Sequence, residues 1–234
     1  MATFVLVHGA YHGAWCYEEV AARLRAKGHD AYVPTLTGVG ERHHLAQQAI
    51  NLSTHVQDVV AILEINDLKD VILCGHSYGG VVITGVAGQA AERIRTLFYL
   101  DAGVPEDGEC VLDMMGPERA LRTIARASAT GTMIESPGAA FFNVSDENAA
   151  AVDRCCTPHP MGTYIQKLFF TGKEAAVPNR TFVLAERYQS INHATYARVV
   201  DQPGWKAVSL DCGHDVMIDQ PDILEALLLE ETSR

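Results

Sequence analysis

The hydrophobic positions near the start of the chain form two short runs separated by a helical stripe. The runs are TFVLV at 3–7, which is rich in β-branched residues, and DAYVPTL at 30–36. Between them, apolar residues recur at the i, i+4 and i+8 spacing of one helix face, as Cys16, Val20 and Leu24. A run, a stripe and a second run predict one β-α-β unit.

The same alternation continues through most of the remaining chain. An apolar stripe at 56–63 follows polar residues suited to a helix cap, Ser53 and Thr54, and leads into the run DVILCG at 70–75. A third helix is expected to begin near Gly79. The later elements are three predicted strands and a closing helix, at 93–102, 180–186, 205–211 and 221–230. Strands that alternate with helices predict an α/β fold with a mostly parallel sheet and helices on both faces.

One segment, 104–178, breaks this alternation. It is rich in proline and glycine, contains short helical patches such as PERALRTIARA at 117–127, and has no predicted strand. Its length favours an inserted cap over a loop, so we expect one domain, 1–234, that carries a cap at about 104–178. Apolar cap residues can line a pocket, although each more often packs the cap onto the body. The candidates are Met114, Met115, Phe141, Phe142, Leu168 and Phe169.

Composition and charge narrow the class of protein. Of the 234 residues, 48% are hydrophobic and 20% are charged, which is typical of a globular fold. The net charge of −11 disfavours nucleic acid as a partner, because it repels phosphates. No apolar stretch approaches the ~20 residues that span a bilayer, and the first residues lack the pattern of a secretory signal. We therefore expect a cytoplasmic protein that has no membrane partner.

The clearest chemical motif is GHSYGG at 75–80. Ser77 lies in a Gly-x-Ser-x-Gly pattern directly after a predicted strand and directly before a helix, which is the context of a nucleophile elbow. Glycines are needed there because the serine is held in a strained turn with backbone packed close on either side. The N–H of Tyr78, the next residue, is placed to donate to a developing oxyanion. The pattern predicts that Ser77 is a catalytic nucleophile.

Two further segments supply the rest of this chemistry. A serine needs a base, and His214 lies on the loop between the last predicted strand and the last helix, at the sheet edge where the elbow opens. The segment VHGA at 7–10 follows the first strand, so the N–H of Ala10 is expected to be the second oxyanion donor. His12 and His76 adjoin the site and are expected to shape the substrate pocket.

These segments together resemble the α/β-hydrolase superfamily. Within it, FVLVHGAYHGAW, VILCGHSYGGVVITGVA and GHDVMIDQPDIL are similar to the plant methylesterases, the hydroxynitrile lyases and the bacterial pyrethroid-type carboxylesterases. The resemblance covers nearly the whole chain and is weakest in the cap. It implies an α/β-hydrolase fold, with Ser77 as the nucleophile, His214 as the base, and the amides of Ala10 and Tyr78 as the oxyanion hole.

The chain differs from that group at one member of the expected Ser-His-acid triad, the acid. By the resemblance, an aspartate is expected after the strand RTFVLAE, but Tyr188 stands at that position and is assigned to the substrate pocket. Asp101, after the preceding strand, is the preferred candidate, and Glu186 is the alternative acid. Asp211 is close to His214 in sequence, but a short loop rarely gives the required contact. The remaining alternative is a chain without a working acid.

The sequence therefore predicts a carboxylesterase of the serine-hydrolase type that acts on a small hydrophobic or aromatic ester through an acyl-enzyme. No cofactor or metal is expected, and the six cysteines lack CxxC spacing, which favours reduced thiols.

A lyase, an oxygenase or a C–C bond-cleaving enzyme with a relocated acid is the alternative on the same fold. Lyase chemistry ranks low because Asp215, rather than the lysine of those relatives, follows His214. A receptor is also disfavoured, since such chains tend to lose the serine or the histidine. The expected partner is a small-molecule ester, and a homodimer is left open.

Overall fold

The fold is described from a computed structural model that covers residues 1–46, 49–188, 190 and 192–234. The strands, in chain order, are β1 (Thr3–Val7), β2 (Asp30–Tyr32), β3 (Val71–His76), β4 (Ile94–Leu100), β5 (Met133–Ile134), β6 (His159–Pro160), β7 (Asn179–Ala185) and β8 (Trp205–Leu210). The α-helices are α1 (Glu18–Ala26), α2 (Leu52–Ile65), α3 (Gly79–Ala90), α4 (Val111–Met115), α5 (Pro117–Ile124), α6 (Ala139–Phe142), α7 (Asp146–Cys155), α8 (Gly162–Ile165), α9 (Asn192–Val199), α10 (Val216–Asp219) and α11 (Pro221–Glu230).

Six strands form one sheet in the order β2-β1-β3-β4-β7-β8, and every neighbouring pair is parallel. This confirms the predicted parallel sheet of an α/β fold. The register pairs Val7 with Gly75 and His76 with Leu100, so the carboxyl ends of β1, β3 and β4 lie level with one another. Residues that follow these strands therefore meet along one edge of the sheet, where open α/β sheets place their ligands.

The two faces of the sheet carry two separate apolar clusters, because successive strand side chains point to opposite sides. Val5, Leu73 and Leu97 are buried on the face that is covered by α2 and α3. On the other face, the buried residues include Phe4, Ile72 and Phe98, together with apolar residues of α1 and α11. Each fully buried side chain of this kind stabilises the fold by roughly 1.5–3 kcal/mol. Helices on both faces are thus confirmed.

Two predicted boundaries are wrong by a few residues. Helix α2 is capped by Asn51, whose side chain accepts a hydrogen bond from the N–H of Thr54 at 3.1 Å, while the Thr54 hydroxyl accepts from the Asn51 N–H. Ser53 lies inside the helix rather than at its cap, because this reciprocal pair satisfies the first free amides. Strand β2 ends at Tyr32, before Pro34, which has no N–H to continue a ladder.

The segment 104–178 contains α4 to α8 and, contrary to prediction, a small two-stranded sheet. Strands β5 and β6 are antiparallel and pair Ile134 with His159. Each has only two residues, which is too short to give a readable run in the sequence. The segment is joined to the sheet edge by backbone hydrogen bonds, from the Thr157 N–H to the Tyr11 carbonyl and from the His214 N–H to the Phe142 carbonyl, both at 2.9 Å. It therefore covers the edge where the strand ends meet.

Two observations bear on the environment of the chain. The six cysteines are free thiols in this structure. Within the ranges that the structure describes, no helix is long and apolar enough to cross a membrane.

Candidate active site

Ser77 lies on a strained turn between β3 and α3. Its φ of 54° is in the left-handed region, which is unfavourable for a residue with a side chain. Backbone hydrogen bonds hold it there: the Ser77 N–H donates to the Leu100 carbonyl at 3.2 Å, and the Ser77 carbonyl accepts from Gly80 and Gly103 at 3.1 and 3.0 Å. This is the geometry of a nucleophile elbow.

The glycines of the motif are needed because three backbones approach closely at this turn. A Cβ on Gly75 would lie 2.5 Å from the Gly79 carbonyl oxygen, and one on Gly79 would lie 2.7 Å from the Val7 carbonyl oxygen. A Cβ on Gly9, in the loop after β1, would lie 2.9 Å from the Ser77 Cβ. Larger residues would therefore separate the serine from the loop that carries Ala10.

His214 follows β8 and is hydrogen bonded to Asp101, which follows β4. The His214 Nδ1–H donates to Asp101 Oδ2 at 2.5 Å, and both side chains are buried. Asp101 Oδ1 accepts from the Ala185 N–H at 3.2 Å, and Asn192 Nδ2 donates to the Asp101 carbonyl at 2.7 Å. Both carboxylate oxygens thus have donors, and the proton held on Nδ1 leaves Nε2 of His214 free to accept one.

The other two carboxylates weighed as the acid lie elsewhere. Glu186 has an exposed side chain, and its N–H donates to the Leu210 carbonyl in line with the sheet. Asp211 is exposed and forms an ion pair with Arg187 at 2.7 Å. The structure brings Asp101, rather than either of these residues, to His214.

Tyr188 occupies the position where the resemblance leads one to expect an aspartate. Its ring stacks on the His214 ring with a centroid distance of 4.1 Å and an angle of 27°. The Tyr188 hydroxyl accepts a hydrogen bond from Arg119. Burial raises the pKa of Tyr188 to about 12, although the Arg119 guanidinium lowers it in part. The tyrosine therefore stays neutral and packs on one face of the histidine.

Ala10 and Tyr78 line the same cavity as Ser77 and His214. Within the described part of the chain, neither N–H donates a hydrogen bond to a protein acceptor. Buried amides normally have partners. Two unused donors beside a strained serine are therefore suited to an oxyanion, which would accept from both.

A buried charge pair lies beside the site and was not anticipated from the sequence. His12 donates from Nε2 to Asp215 at 3.0 Å and from Nδ1 to the Ala10 carbonyl at 2.8 Å. Both ring nitrogens face acceptors, so this histidine is protonated. Burial alone would lower the pKa of His12, but the Asp215 carboxylate raises it well above 6.5. Burial would raise the pKa of Asp215, and the charge of His12 instead lowers it to about 2.

His76 lies beside this pair and contacts the loop that carries His214. Its Nε2–H donates to the His214 carbonyl at 3.0 Å, and burial lowers its pKa well below 6.5, so the ring is neutral. The three residues tie the loop of Ala10 to the loop of His214. No sequence spacing signals a contact between residues this far apart. Among the described residues, no group of three or more His, Cys, Asp and Glu side chains is arranged to hold a metal ion.

The cavity next to Ser77 has mostly apolar walls, and part of them comes from the segment 104–178, which we call the cap. The cap contributes the apolar side chains of Val111, Met114, Met115, Phe141, Phe142 and Tyr164. The predicted pocket residues His12, His76 and Tyr188 also line it. Leu168 and Phe169 do not, which corrects that part of the expectation: Leu168 packs against the core, and Phe169 is 68% exposed.

Two charged residues in the cavity wall, Arg119 and Arg126, were also missed. The available signal was their seven-residue separation in the segment 117–127, which places both on one face of a helix.

Comparison with known proteins identifies the family of the chain. The Alpha/beta hydrolase family matches residues 4–227. The chain is 44% identical to a carbendazim hydrolyzing esterase of Nocardioides sp. (strain SG-4G), over 96% of this chain and 97% of that protein. The chain therefore belongs to the alpha/beta hydrolase family, and it is an enzyme of the carboxylesterase type.

Two more distant relatives support the same assignment. Methylesterase 4 of Arabidopsis thaliana is 24% identical over 97% of this chain and 95% of its own length. A solved extracellular alpha/beta-hydrolase from a Paenibacillus species, described as sharing structural and functional homology with tobacco salicylic acid binding protein 2, superposes with a TM-score of 0.86. It is 26% identical and is matched over 99% of both chains. The resemblance to plant methylesterases is confirmed.

Proposed function

We propose that this enzyme hydrolyses a small hydrophobic or aromatic carboxylic ester through an acyl-enzyme. One observation carries the proposal: His214 Nδ1 donates to the buried Asp101 carboxylate at 2.5 Å, at the sheet edge where the Ser77 elbow opens. A serine, a histidine and a buried carboxylate on three different loops of one sheet edge form the arrangement used for acyl transfer.

In this mechanism, the Ser77 hydroxyl attacks the ester carbonyl carbon while His214 takes its proton at Nε2. The carbonyl oxygen becomes negative and accepts hydrogen bonds from the N–H groups of Ala10 and Tyr78. The bond to the leaving alcohol then breaks, and His214 returns the proton to that alcohol. Water repeats the sequence on the acyl-enzyme and releases the carboxylic acid.

Asp101 acts through His214 rather than on the ester. Its carboxylate keeps the proton on Nδ1 and stabilises the imidazolium that forms when His214 takes a second proton. Two hydrogen bonds hold Asp101 in place for this task. The Ala185 N–H donates to its carboxylate, and the Asn192 side-chain amide donates to its main-chain carbonyl. Tyr188 cannot replace it, because a neutral phenol does not balance an imidazolium charge.

The substrate class follows from the walls of the cavity. Methionine and aromatic residues of the cap line the cavity that contains Ser77 and favour an apolar or aromatic group in the ester. The 44% identity to an esterase named for carbendazim makes that compound one member of the test panel.

The test is steady-state hydrolysis of phenyl butanoate and of carbendazim by wild type, Ser77→Ala and Ser53→Ala. Ser53 is exposed and serves as the matched control. We expect Ser77→Ala to lose about 10⁴-fold or more of kcat, as removal of a triad nucleophile does, and Ser53→Ala to match wild type. An active Ser77→Ala would contradict the proposal.

A further inference from the structure

Two arginines of the cap form a positively charged part of the cavity wall. Arg119 lies on α5, and Arg126 lies just past its end. Both are half-buried, and both line the cavity that contains Ser77. They also border the outer groove that adjoins this cavity. Any substrate that passes from that groove to the serine meets these two guanidinium groups.

Neither arginine has a carboxylate partner among the described residues. Arg119 donates to the Tyr188 hydroxyl and lies 5.2 Å from the centre of the Phe141 ring. Arg126 lies 5.6 Å from the same ring and donates to the Tyr11 hydroxyl at 3.4 Å and to the Glu135 main-chain carbonyl at 3.3 Å. Their contacts are therefore aromatic faces and neutral oxygens, which compensate a buried charge less well than an anion does.

The other arginines at the groove differ from this pair. Arg122 is paired with Glu118 at 2.6 Å, and Arg187 is paired with Asp211 at 2.7 Å. The chain as a whole carries a net charge of −11, so carboxylates for pairing are abundant. Within the described residues, Arg119 and Arg126 thus differ from the other two arginines of the groove in having no carboxylate partner.

A guanidinium in apolar surroundings binds a carboxylate strongly, because its planar N–H groups match the two oxygens and little water competes. When a carboxylate enters the cavity, the two guanidinium groups would also replace their weak contacts with phenol hydroxyls by charged hydrogen bonds. We propose that Arg119 and Arg126 bind a free carboxylate on the substrate, so that the preferred esters are aromatic esters that carry a second, anionic group. This inference rests on the proposed esterase function and names its substrate class.

The test compares two matched pairs of esters, one anionic and one neutral in each pair. The first pair, para-carboxyphenyl butanoate and para-acetylphenyl butanoate, carries the charge on the leaving alcohol. The second, monomethyl terephthalate and methyl para-acetylbenzoate, carries it on the acyl side. For each enzyme variant we take the ratio of kcat/KM for the anionic ester to that for its neutral partner. Comparing ratios between variants cancels the intrinsic reactivity of the esters.

We expect Arg119→Gln and Arg126→Gln each to lower this ratio about tenfold in at least one pair, the effect of one charged hydrogen bond in a partly exposed site. Lysine at either position should restore part of it, since the charge remains without the planar fork. Arg122→Gln, on the same helix but already paired, should leave the ratio unchanged. In wild type, added salt should lower kcat/KM for the anionic ester more than for the neutral one.

An equal fall for both members of a pair would overturn the inference, because it would show that the arginines only hold Tyr188 and the cap. A wild type that prefers the neutral esters without salt dependence would overturn it as well, and the esterase function would stand. If no ester is cleaved and Ser77 is unreactive, the proposed esterase function is itself wrong, and the inference that rests on it is overturned with it. The salt dependence of wild type keeps the test decisive even where a variant does not fold.

Discussion

Replacing Asp101 by asparagine removes the negative charge next to His214 while changing the shape of the side chain little. The asparagine would keep its carbonyl oxygen for one donor only, whereas Asp101 accepts from both the Ala185 N–H and His214 Nδ1. If the amide nitrogen faces His214, it donates to Nδ1 and moves the ring proton to Nε2. That tautomer cannot accept the proton of Ser77.

The expected loss of turnover is large because two effects combine. The wrong tautomer removes the general base, and the remaining imidazolium has no carboxylate to stabilise it. In a serine protease the corresponding change lowers kcat about ten-thousandfold, equivalent to ~5 kcal/mol of barrier. Asp101 is likewise fully buried and contacts His214 at 2.5 Å. We therefore expect Asp101→Asn to lower kcat about 10³- to 10⁴-fold.

The assay is kcat on a saturating phenyl ester, with near-ultraviolet circular dichroism to show that each variant is folded. Glu186→Gln and Asp211→Asn are the matched controls, because each removes one exposed carboxylate that was also weighed as the acid. We expect both to stay within about twofold of wild type, as surface substitutions usually do. Turnover by Asp101→Asn within about tenfold of wild type would refute the assignment of Asp101 as the triad acid. A large loss of turnover in Glu186→Gln would assign the acid to Glu186 instead.

Three further outcomes are expected from other parts of the structure. Gly75→Ala should destabilise the fold by about 1–3 kcal/mol in urea unfolding and lower turnover, because its Cβ meets the Gly79 carbonyl; unchanged stability would contradict the close approach. Tyr188→Phe keeps the ring stacked on the base and should retain kcat within about threefold, whereas Tyr188→Ala should lose about tenfold or more; equal effects would show that the hydroxyl matters more than the ring. Buried His8 and His55 have pKa values lowered by burial to about 3 and about 4. Because these folded values lie below the unfolded value near 6.5, their contribution to stability is present above that pH and is lost as pH falls. The two rings together should contribute a loss of about 4 kcal/mol to the free energy of unfolding between pH 7 and pH 5, at ~1.4 kcal/mol per histidine and pH unit below 6.5. Urea unfolding of wild type and of a variant with both His8→Gln and His55→Gln measures this share, and an equal pH dependence of the two would show that the pKa values of these rings are not lowered in the native state.

The neutral state of these two histidines also follows from their hydrogen bonds. His8 donates from Nδ1 to the Gly9 carbonyl and accepts at Nε2 from the Leu36 N–H. His55 donates from Nε2 to the Thr37 carbonyl, so its Nδ1 is left to accept from the Tyr78 hydroxyl. One nitrogen of each ring acts as an acceptor, which a protonated ring cannot do.

The parts of the molecule that could be predicted from sequence are those governed by local patterns. Apolar runs and helical stripes located the strands of the large sheet, since each run is long enough to be read on its own. The motif around Ser77 and the position of His214 after the last strand follow from topology, because parallel strands bring their carboxyl ends to one edge. These two positions required no knowledge of distant contacts.

The acid could not be settled in this way, because the choice depends on which loop reaches His214. Asp101 and Glu186 both follow strands that end at the same edge. Only the three-dimensional path of the chain shows that the Asp101 carboxylate contacts His214 and that the Glu186 side chain lies at the surface. The two-residue strands of the cap were missed for a related reason, since their pairing joins segments that are far apart in sequence.

Two features are alike in this respect: the charge pair of His12 and Asp215, and the lack of a carboxylate partner for Arg119 and Arg126 among the residues that the structure describes. Each depends on which partner is present or missing in space, and a sequence gives charges without their partners. The seven-residue spacing of the two arginines predicts a shared helix face, whereas α5 ends at Ile124, before Arg126, and the spacing does not show that either side chain reaches the cavity.

The most direct test of the central claim is covalent trapping of the nucleophile with a fluorophosphonate, read by intact mass and by sequencing of the labelled peptide. We expect one adduct per chain, located on Ser77, absent in Ser77→Ala and formed much more slowly in Asp101→Asn. A wild type that forms no adduct, or forms it on another residue while Ser77 stays free, would contradict the assignment of Ser77, His214 and Asp101 as the catalytic residues.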